Sequence, residues 1–192
     1  MILYHGTQDK TLKKLVTNHN TGRGGDTENI YLTDSYACAF MYAASTMRFF
    51  QFDKKTDTLW VMEKAPNAFE KMYKGHGCLI FKIEIENPKK VEHPTGHVFS
   101  YNKDIVLDKE NCDVIDDCYE KLIELEREGK VKLQRWNDYT KEEQENVKNN
   151  FISRFKPYME DEKKRFPEEY KLLVSFYPEL KVEEKEDKKE AK

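Results

Sequence analysis

The sequence predicts an α+β fold, and three observations support that prediction. Short segments in which apolar and polar residues alternate, as they do in strands, are concentrated in the first 110 of the 192 residues. Segments with apolar residues at helical spacing dominate from residue 111 onward. Aromatic residues make up 12% of the chain, which favours a folded core despite a charged fraction of 36%. Strands followed by helices, rather than alternating with them, are typical of the α+β class.

The chain is predicted to contain three parts. Residues 1–110 form a β-rich core, residues 111–180 a helical part packed on that core, and residues 181–192 a charged, disordered tail. The net charge of −3 offers no basic field, so we expect no nucleic-acid interface. The sequence contains neither a signal peptide nor an apolar run of the roughly 20 residues that a membrane helix needs. We therefore expect a cytoplasmic protein with reduced cysteines and no membrane partner.

The clearest strand in the sequence covers residues 78–86. Alternate residues of this segment give it one apolar face, which consists of Leu79, Phe81, Ile83 and Ile85. Further strands are predicted over residues 58–63 and 131–136, and one or two more over residues 98–107. These segments supply enough apolar surface for a sheet with one buried face.

Polar capping residues indicate where helices begin. Thr7 predicts the N-cap of a helix reaching to about residue 16, and Asp113 predicts the N-cap of one that ends at Gly129. Thr140 and Glu143 have the spacing of a capping box, in which each side chain accepts a backbone N–H from the other residue. The second half of the chain is therefore expected to be mainly helical.

The residues with the strongest chemical pattern lie near the amino terminus. His5, Gly6 and Thr7 are consecutive, and Tyr31 precedes a predicted helix that contains Tyr42. A histidine and a hydroxyl form directional hydrogen bonds, a glycine lets a ligand approach the backbone, and two tyrosine rings can stack on a flat group. These residue types fit a nucleotide pocket. The ordinary alternative is a buried histidine beside a turn and two core tyrosines.

A metal site is not predicted. The five histidines and four cysteines lack the spacing of a zinc site. His93 and His97 are four residues apart, but Pro94 and Gly96 place them in a loop rather than on one face of a helix.

Two segments together resemble a known family. Residues 3–7 (Leu-Tyr-His-Gly-Thr) and 30–42 (Ile-Tyr-Leu-Thr-Asp-Ser-Tyr-Ala-Cys-Ala-Phe-Met-Tyr) resemble the NAD-binding half of ADP-ribosyltransferases of the poly(ADP-ribose) polymerase/diphtheria toxin type. The resemblance covers about the first 45 residues. It implies an ADP-ribosyltransferase-like split antiparallel β-sheet core, here followed by a mostly helical C-terminal half. The order of landmarks along the whole chain also resembles a set of bacterial proteins, a likeness that brings no activity with it.

The resemblance assigns roles to five residues and makes NAD the expected ligand. His5 would bond the 2′-hydroxyl of the nicotinamide ribose, and the Gly6 backbone would hold the carboxamide. Thr7 would add a ribose contact, and Tyr31 and Tyr42 would sandwich the nicotinamide ring. Cleavage of the glycosidic bond builds positive charge on the ribose, so such a site must grip the ribose firmly.

The catalytic position departs from the family pattern. In the family, a strand of the form Tyr-Asn-Glu followed by Ile-Val supplies a catalytic glutamate, and Lys103 occupies the matching position here. Asp104 is the adjacent acid, but neighbouring residues of a strand point to opposite faces. Lys103 and Asp104 are therefore the two candidates at the catalytic position. A lysine cannot stabilise a developing cation, which argues against polymer synthesis.

Three functions follow from the resemblance. The first is an NAD-consuming enzyme, either a mono-ADP-ribosyltransferase with a protein acceptor or an NAD glycohydrolase. The second is a non-catalytic nucleotide- or protein-binding module that has lost the catalytic carboxylate. The third is an RNA 2′-phosphotransferase, a branch of the same superfamily whose sequences also begin with His-Gly-Thr. That branch has a second histidine where this chain has Tyr31, and a basic RNA-binding part, which the balanced charge here argues against.

Overall fold

Two groups of elements make up the structure, a computed structural model. It describes residues 1–17, 19–20, 26–45, 47, 49–53, 55–56 and 58–183. The first unit comprises Met1–Glu63 and Phe69–Arg135, and the second comprises Lys64–Ala68 and Trp136–Lys192. This division differs from the predicted boundary after residue 110, because the elements over residues 111–135 belong to the first unit. Of the predicted tail, residues 184–192 lie outside the described part of the chain.

The first unit contains the strands, two of the helices and all but the first residue of a third. The strands are β1 (Ile2–Thr7), β2 (Lys14–Leu15), β3 (His19–Asn20), β4 (Asp26–Thr27), β5 (Ile30–Thr33), β6 (Phe50–Asp53), β7 (Thr58–Met62), β8 (Cys78–Glu84), β9 (Lys89–Lys90), β10 (Val98–Tyr101), β11 (Ile105–Val106), β12 (Cys112–Ile115) and β13 (Val131–Gln134). The helices that begin before residue 136 are α1 (Tyr36–Ala44), α2 (Ala68–Tyr73) and α3 (Cys118–Arg127).

The largest sheet has the strand order β12-β8-β1-β5-β10-β9, and every neighbouring pair in it is antiparallel. A second sheet has the order β13-β7-β6, in which β13 and β7 run parallel. Two further pairs, β2 with β11 and β3 with β4, are short antiparallel ribbons. The predicted α+β class is confirmed, and most of the strand pairs are antiparallel.

One face of the large sheet is apolar. Because successive side chains of a strand alternate between faces, Leu3 of β1 and the odd-numbered residues of β8 lie on the same side. There they join an apolar cluster, which consists of Leu3, Leu15, Ile30, Leu32, Leu79, Phe81, Ile83, Ile85, Phe99, Ile105 and Leu107. The β2–β11 ribbon contributes Leu15 and Ile105 to this cluster. The predicted apolar face of the segment 78–86 is therefore confirmed.

Helix α1 covers the opposite face. A Cβ atom on Gly6 would lie 2.1 Å from the Ala39 carbonyl oxygen and 2.7 Å from the Ala43 Cβ. On the same face, the rings of Tyr4 and Tyr36 meet edge to face with centroids 5.6 Å apart. Position 6 therefore needs glycine because α1 packs directly on the β1 backbone.

The second unit is helical. It contains α4 (Lys141–Phe155), α5 (Met159–Arg165) and α6 (Pro167–Phe176). The predicted capping box at the start of α4 is confirmed, since Thr140 and Glu143 each accept a backbone N–H from the other residue. The Phe151 ring packs edge to face against Phe176, with centroids 6.1 Å apart. Among the described residues, none of the helices is both long and apolar enough to span a bilayer.

Two predicted helix starts are wrong. The Thr7 hydroxyl accepts from the Asp9 N–H at 3.0 Å, and Asp9 in turn accepts from the Thr11 N–H at 2.8 Å. These local side-chain bonds stabilise turns in place of the predicted helix. Asp113 lies within β12, and Asp117 is the true N-cap of α3, where its carboxylate accepts from two backbone N–H groups.

Candidate functional site

The central feature of the predicted nucleotide site is the boundary between β1 and β5. In the described part of the chain, these strands pair at a single position, Tyr4↔Thr33. On its other side β1 pairs with β8 along its whole length, up to Thr7↔Leu79. If the β1–β5 register continued, Gly6 would lie directly opposite Tyr31. Gly6 and Tyr31, predicted to hold the carboxamide and to stack on the ring, therefore flank the stretch in which the described residues of β1 and β5 form no further pair, the β1–β5 gap.

The two predicted stacking residues lie on the α1 side of the sheet. Tyr31 and Thr33 are two residues apart on β5, so their side chains point to the same face of the sheet. Thr33 pairs with Tyr4, which lies on the α1 face. The side chain of Tyr31 is 49% exposed. Tyr42 belongs to α1 itself and is half-buried. Its ring meets Phe50 edge to face, with centroids 5.3 Å apart. The structure thus gives one tyrosine a solvent-facing ring and anchors the other in aromatic packing.

The predicted ribose-binding residues lie on the opposite face. His5 pairs with Phe81, which places the imidazole on the side of the apolar cluster, and the imidazole is half-buried there. Thr7 is two residues after His5 on β1 and therefore points to the same face, where its hydroxyl accepts from the Asp9 N–H. The structure therefore brings Gly6, Tyr31 and Tyr42 to one side of the sheet and places His5 and Thr7 on the other.

Asp104, one of the two candidates at the catalytic position, is held by the β2 ribbon. Its carboxylate accepts from the Thr17 N–H at 2.9 Å and from the Thr17 hydroxyl at 3.2 Å, and it pairs with Lys14 Nζ at 2.7 Å. The hydrogen bond from the Lys14 ammonium, followed by the one from the Thr17 N–H, keeps the pKa of Asp104 below its ordinary value. Lys103, the other candidate, is exposed. Asp104 thus fastens the segment before β11 to the segment after β2.

An Asp–His pair beside α1 escaped prediction. The Asp34 carboxylate lies 2.6 Å from Nδ1 of His97, and the Asp34 N–H donates to the His97 carbonyl at 3.3 Å. The Phe52 ring meets the imidazole edge to face, with centroids 4.5 Å apart. The aspartate and the Phe52 ring together fix the orientation of the imidazole. Its detection from sequence would have required the β5–β10 register, which brings the two residues together from 63 positions apart.

A polar cavity of about 340 Å³ also escaped prediction. It opens on the α1 side of β8, and its lining includes Tyr4, Tyr36, Lys82 and Asp113. The Tyr36 phenol hydrogen-bonds to Asp113, and burial together with the Asp113 charge raises the pKa of Tyr36. The Lys121 ammonium lies 5.5 Å from the centroid of the same ring. A phenol paired in this way stays protonated and donates to the carboxylate.

The described residues contain no group of three or more His, Cys, Asp or Glu side chains arranged to hold a metal ion. Comparisons of this chain with family models, with curated proteins and with solved structures find no match.

Proposed function

We propose that this protein is an ADP-ribosyltransferase-like module that binds NAD, or a nucleotide of the same type, without cleaving it. The observation that carries the proposal is the gap between β1 and β5. There Gly6 and the half-exposed Tyr31 lie on adjacent strands whose described residues pair at Tyr4↔Thr33 alone, and the two residues would lie opposite each other in the same register. The resemblance of residues 3–7 and 30–42 to the NAD-binding family supports the same site.

The gap suits a flat amide-bearing ring such as nicotinamide. A strand edge presents N–H and C=O groups in its own plane, which can bond a carboxamide in the manner of a neighbouring strand. A ring held by such bonds lies beside Tyr31, and Tyr42 on α1 is the second aromatic residue on that side. Stacking on an aromatic side chain contributes about 1–3 kcal/mol per base in nucleic-acid complexes, which sets the scale expected for Tyr31.

The positions of His5 and Asp104 support binding without turnover. Cleavage of NAD requires groups that grip the ribose and stabilise its positive charge. The His5 side chain lies on the face of the sheet opposite Tyr31, and the Asp104 carboxylate is engaged by Lys14 and Thr17. The residues that would act on the ribose are thus separated from those that would hold the ring.

Calorimetric titration with NAD, nicotinamide and ADP-ribose tests the proposal. We expect NAD and nicotinamide to bind, and we expect Tyr31→Ala to weaken both by about tenfold or more, because it removes the stacking surface. Tyr158→Ala is the matched control, since Tyr158 is 63% exposed and belongs to the second unit. Absence of binding at millimolar NAD would overturn the proposal.

A second assay addresses catalysis. Incubation with NAD, followed by chromatography for free nicotinamide, should show no release above a protein-free blank. Release that disappears in Asp104→Asn would contradict the non-catalytic assignment while leaving the binding site in place.

A further inference from the structure

Two buried cysteines lie close together where β8 and α3 begin. Cys78 begins β8 and pairs with Ile115 of β12, which leads directly into α3. Cys118 is the first residue of α3, and its N–H donates to the His76 carbonyl at 2.8 Å. Strand register and backbone bonding therefore bring the two residues together independently, and both side chains are 0% exposed.

The two thiols interact directly. They are hydrogen-bonded to each other, and this bond lowers the pKa of Cys118 while it raises that of Cys78. A Cys78 thiol that donates to the Cys118 sulfur stabilises a Cys118 thiolate.

A cation and a polar buried group surround the pair. The Lys10 ammonium lies 3.3 Å from the position that a Cβ on Gly77, next in sequence to Cys78, would occupy. Its charge opposes the rise in the pKa of Cys78 and adds to the fall in the pKa of Cys118. The Tyr73 hydroxyl is buried and has no hydrogen-bond partner among the described residues. The negative charge of Cys118 adds to burial in raising the pKa of Tyr73. Two charges of opposite sign therefore act on a Cys118 thiolate: Lys10 favours it, and the neighbouring Asp117 carboxylate opposes it.

We propose that Cys78 and Cys118 form a redox-active dithiol, which a small hydroperoxide oxidises to an intramolecular disulfide. This pair is separate from the nucleotide gap, and it does not depend on a ligand there. The 0% exposure of both sulfurs restricts the oxidant to small molecules, because a bulky disulfide such as oxidised glutathione cannot reach them.

The reaction balances in two steps. The Cys118 thiolate attacks one oxygen of the hydroperoxide, so that an S–O bond forms and the O–O bond breaks, and the departing oxygen leaves as an alcohol or water after taking up a proton. Cys118 is then a sulfenic acid. Cys78 loses its proton and attacks the Cys118 sulfur, the S–S bond forms, and hydroxide leaves as water. The two thiols lose two electrons, and the hydroperoxide gains them.

Peptide mapping of the peroxide-treated protein tests the proposal. The protein is treated with hydrogen peroxide, quenched with catalase, unfolded in the presence of iodoacetamide and digested. We expect a peptide containing Cys78 joined to one containing Cys118, two hydrogens lighter than the separate peptides and released by a reductant. Oxidised glutathione should give neither the cross-link nor a mixed disulfide. Recovery of both cysteines as alkylated thiols, or a cross-link that involves Cys38, would overturn the proposal.

Two variants assign the order of steps. Cys112→Ser is the matched control, because Cys112 is a partly exposed thiol of β12 and its loss should leave the cross-link intact. Cys78→Ser should stop the reaction at the sulfenic acid, which dimedone traps on Cys118 when the oxidised protein is unfolded in its presence. Failure of Cys112→Ser to form the cross-link, or dimedone on Cys112 in place of Cys118, would contradict the assigned pair. The wild-type mapping decides the matter even if Cys78→Ser does not fold.

Discussion

The strand β1 pairs differently with its two neighbours. With β8 it forms six residue pairs, from Ile2↔Glu84 to Thr7↔Leu79, and the side chains along that boundary include the apolar residues Leu3 and Phe81. With β5 its described residues form the single pair Tyr4↔Thr33, and the half-exposed Tyr31 lies two residues away from that pair. The continuous pairing with β8, here the closed boundary, fixes the position of β1 within the sheet. The boundary with β5, here the open boundary, is the one at which we propose that a nucleotide binds.

Phe81→Ala should cause the largest loss of stability, because it removes a fully buried ring from the closed boundary. We expect a fall of about 3–5 kcal/mol in the free energy of unfolding, measured by urea titration with circular dichroism. Val114→Ala on the adjacent strand β12 is the control, since Val114 is 65% exposed and its loss should cost within about 0.5 kcal/mol. Equal effects of the two substitutions would show that the β8 side does not form the core.

Gly6→Ala should cost about 2–3 kcal/mol, because the new methyl group overlaps the Ala39 carbonyl and α1 must shift. The same urea titration measures it. Gly96→Ala is the control: nothing lies within 4 Å of its Cβ position, and only its positive φ of 72° opposes the change. We expect about 1 kcal/mol there. A smaller loss for Gly6→Ala than for Gly96→Ala would contradict the close packing of α1 on β1.

Asp117→Asn tests the hydrogen bonds by which one carboxylate joins the start of α3 to Gly75, just before β8. Asp117 caps α3 and also accepts from the Gly75 N–H at 2.8 Å, and these backbone bonds lower its pKa. A carboxyl whose pKa is lowered in the folded state stabilises the protein above its ordinary pKa of about 3.9. That stabilisation is lost as the pH falls through the lowered value. We expect a difference of about 1 kcal/mol between wild type and variant at pH 7, because hydrogen bonds to a charged carboxylate are stronger than those to a neutral amide.

The pH dependence provides the check on Asp117. Urea titrations at several pH values should show the difference shrinking as the pH falls below about 4. A difference that stays constant down to pH 2 would mean that the carboxylate charge does not contribute to the stability that these hydrogen bonds provide.

Tyr31→Ala should have the smallest effect on stability and the largest effect on the proposed ligand. We expect a change in the free energy of unfolding within about 0.5 kcal/mol, because the ring is half-exposed at the open boundary. A loss of several kcal/mol would show that Tyr31 belongs to the core and that the β1–β5 boundary is closed.

The regular elements of the fold were predictable where the pattern is local. Alternation over residues 78–86 predicts β8 and its apolar face because burial on one side imposes a period of two. The Thr140–Glu143 box predicts the start of α4 for an equally local reason. Thr7 misled the prediction, because a threonine can cap a helix or close a turn, and Asp9 stabilises the turn.

The site was predictable only in part, because its residues depend on long-range register. The residue types at positions 6 and 31 point to a ligand pocket, yet their placement across one gap follows from the β1–β5 pairing. The role of Asp104 depends on Lys14 and Thr17, which reach it through the β2–β11 ribbon. The pairing of Cys78 with Cys118 likewise needs the β8–β12 register, which no local pattern encodes.

The packing of α1 on Gly6 also limits how this sequence can vary. The Ala43 methyl group competes for the same volume as a side chain at position 6, so glycine at one position permits alanine at the other. The Ala39 carbonyl belongs to the backbone, and no exchange of residue 39 can remove it. In a library that randomises positions 6, 39 and 43, folded clones should therefore retain glycine at position 6 whatever the other two residues become. Positions 39 and 43 should accept any small residue.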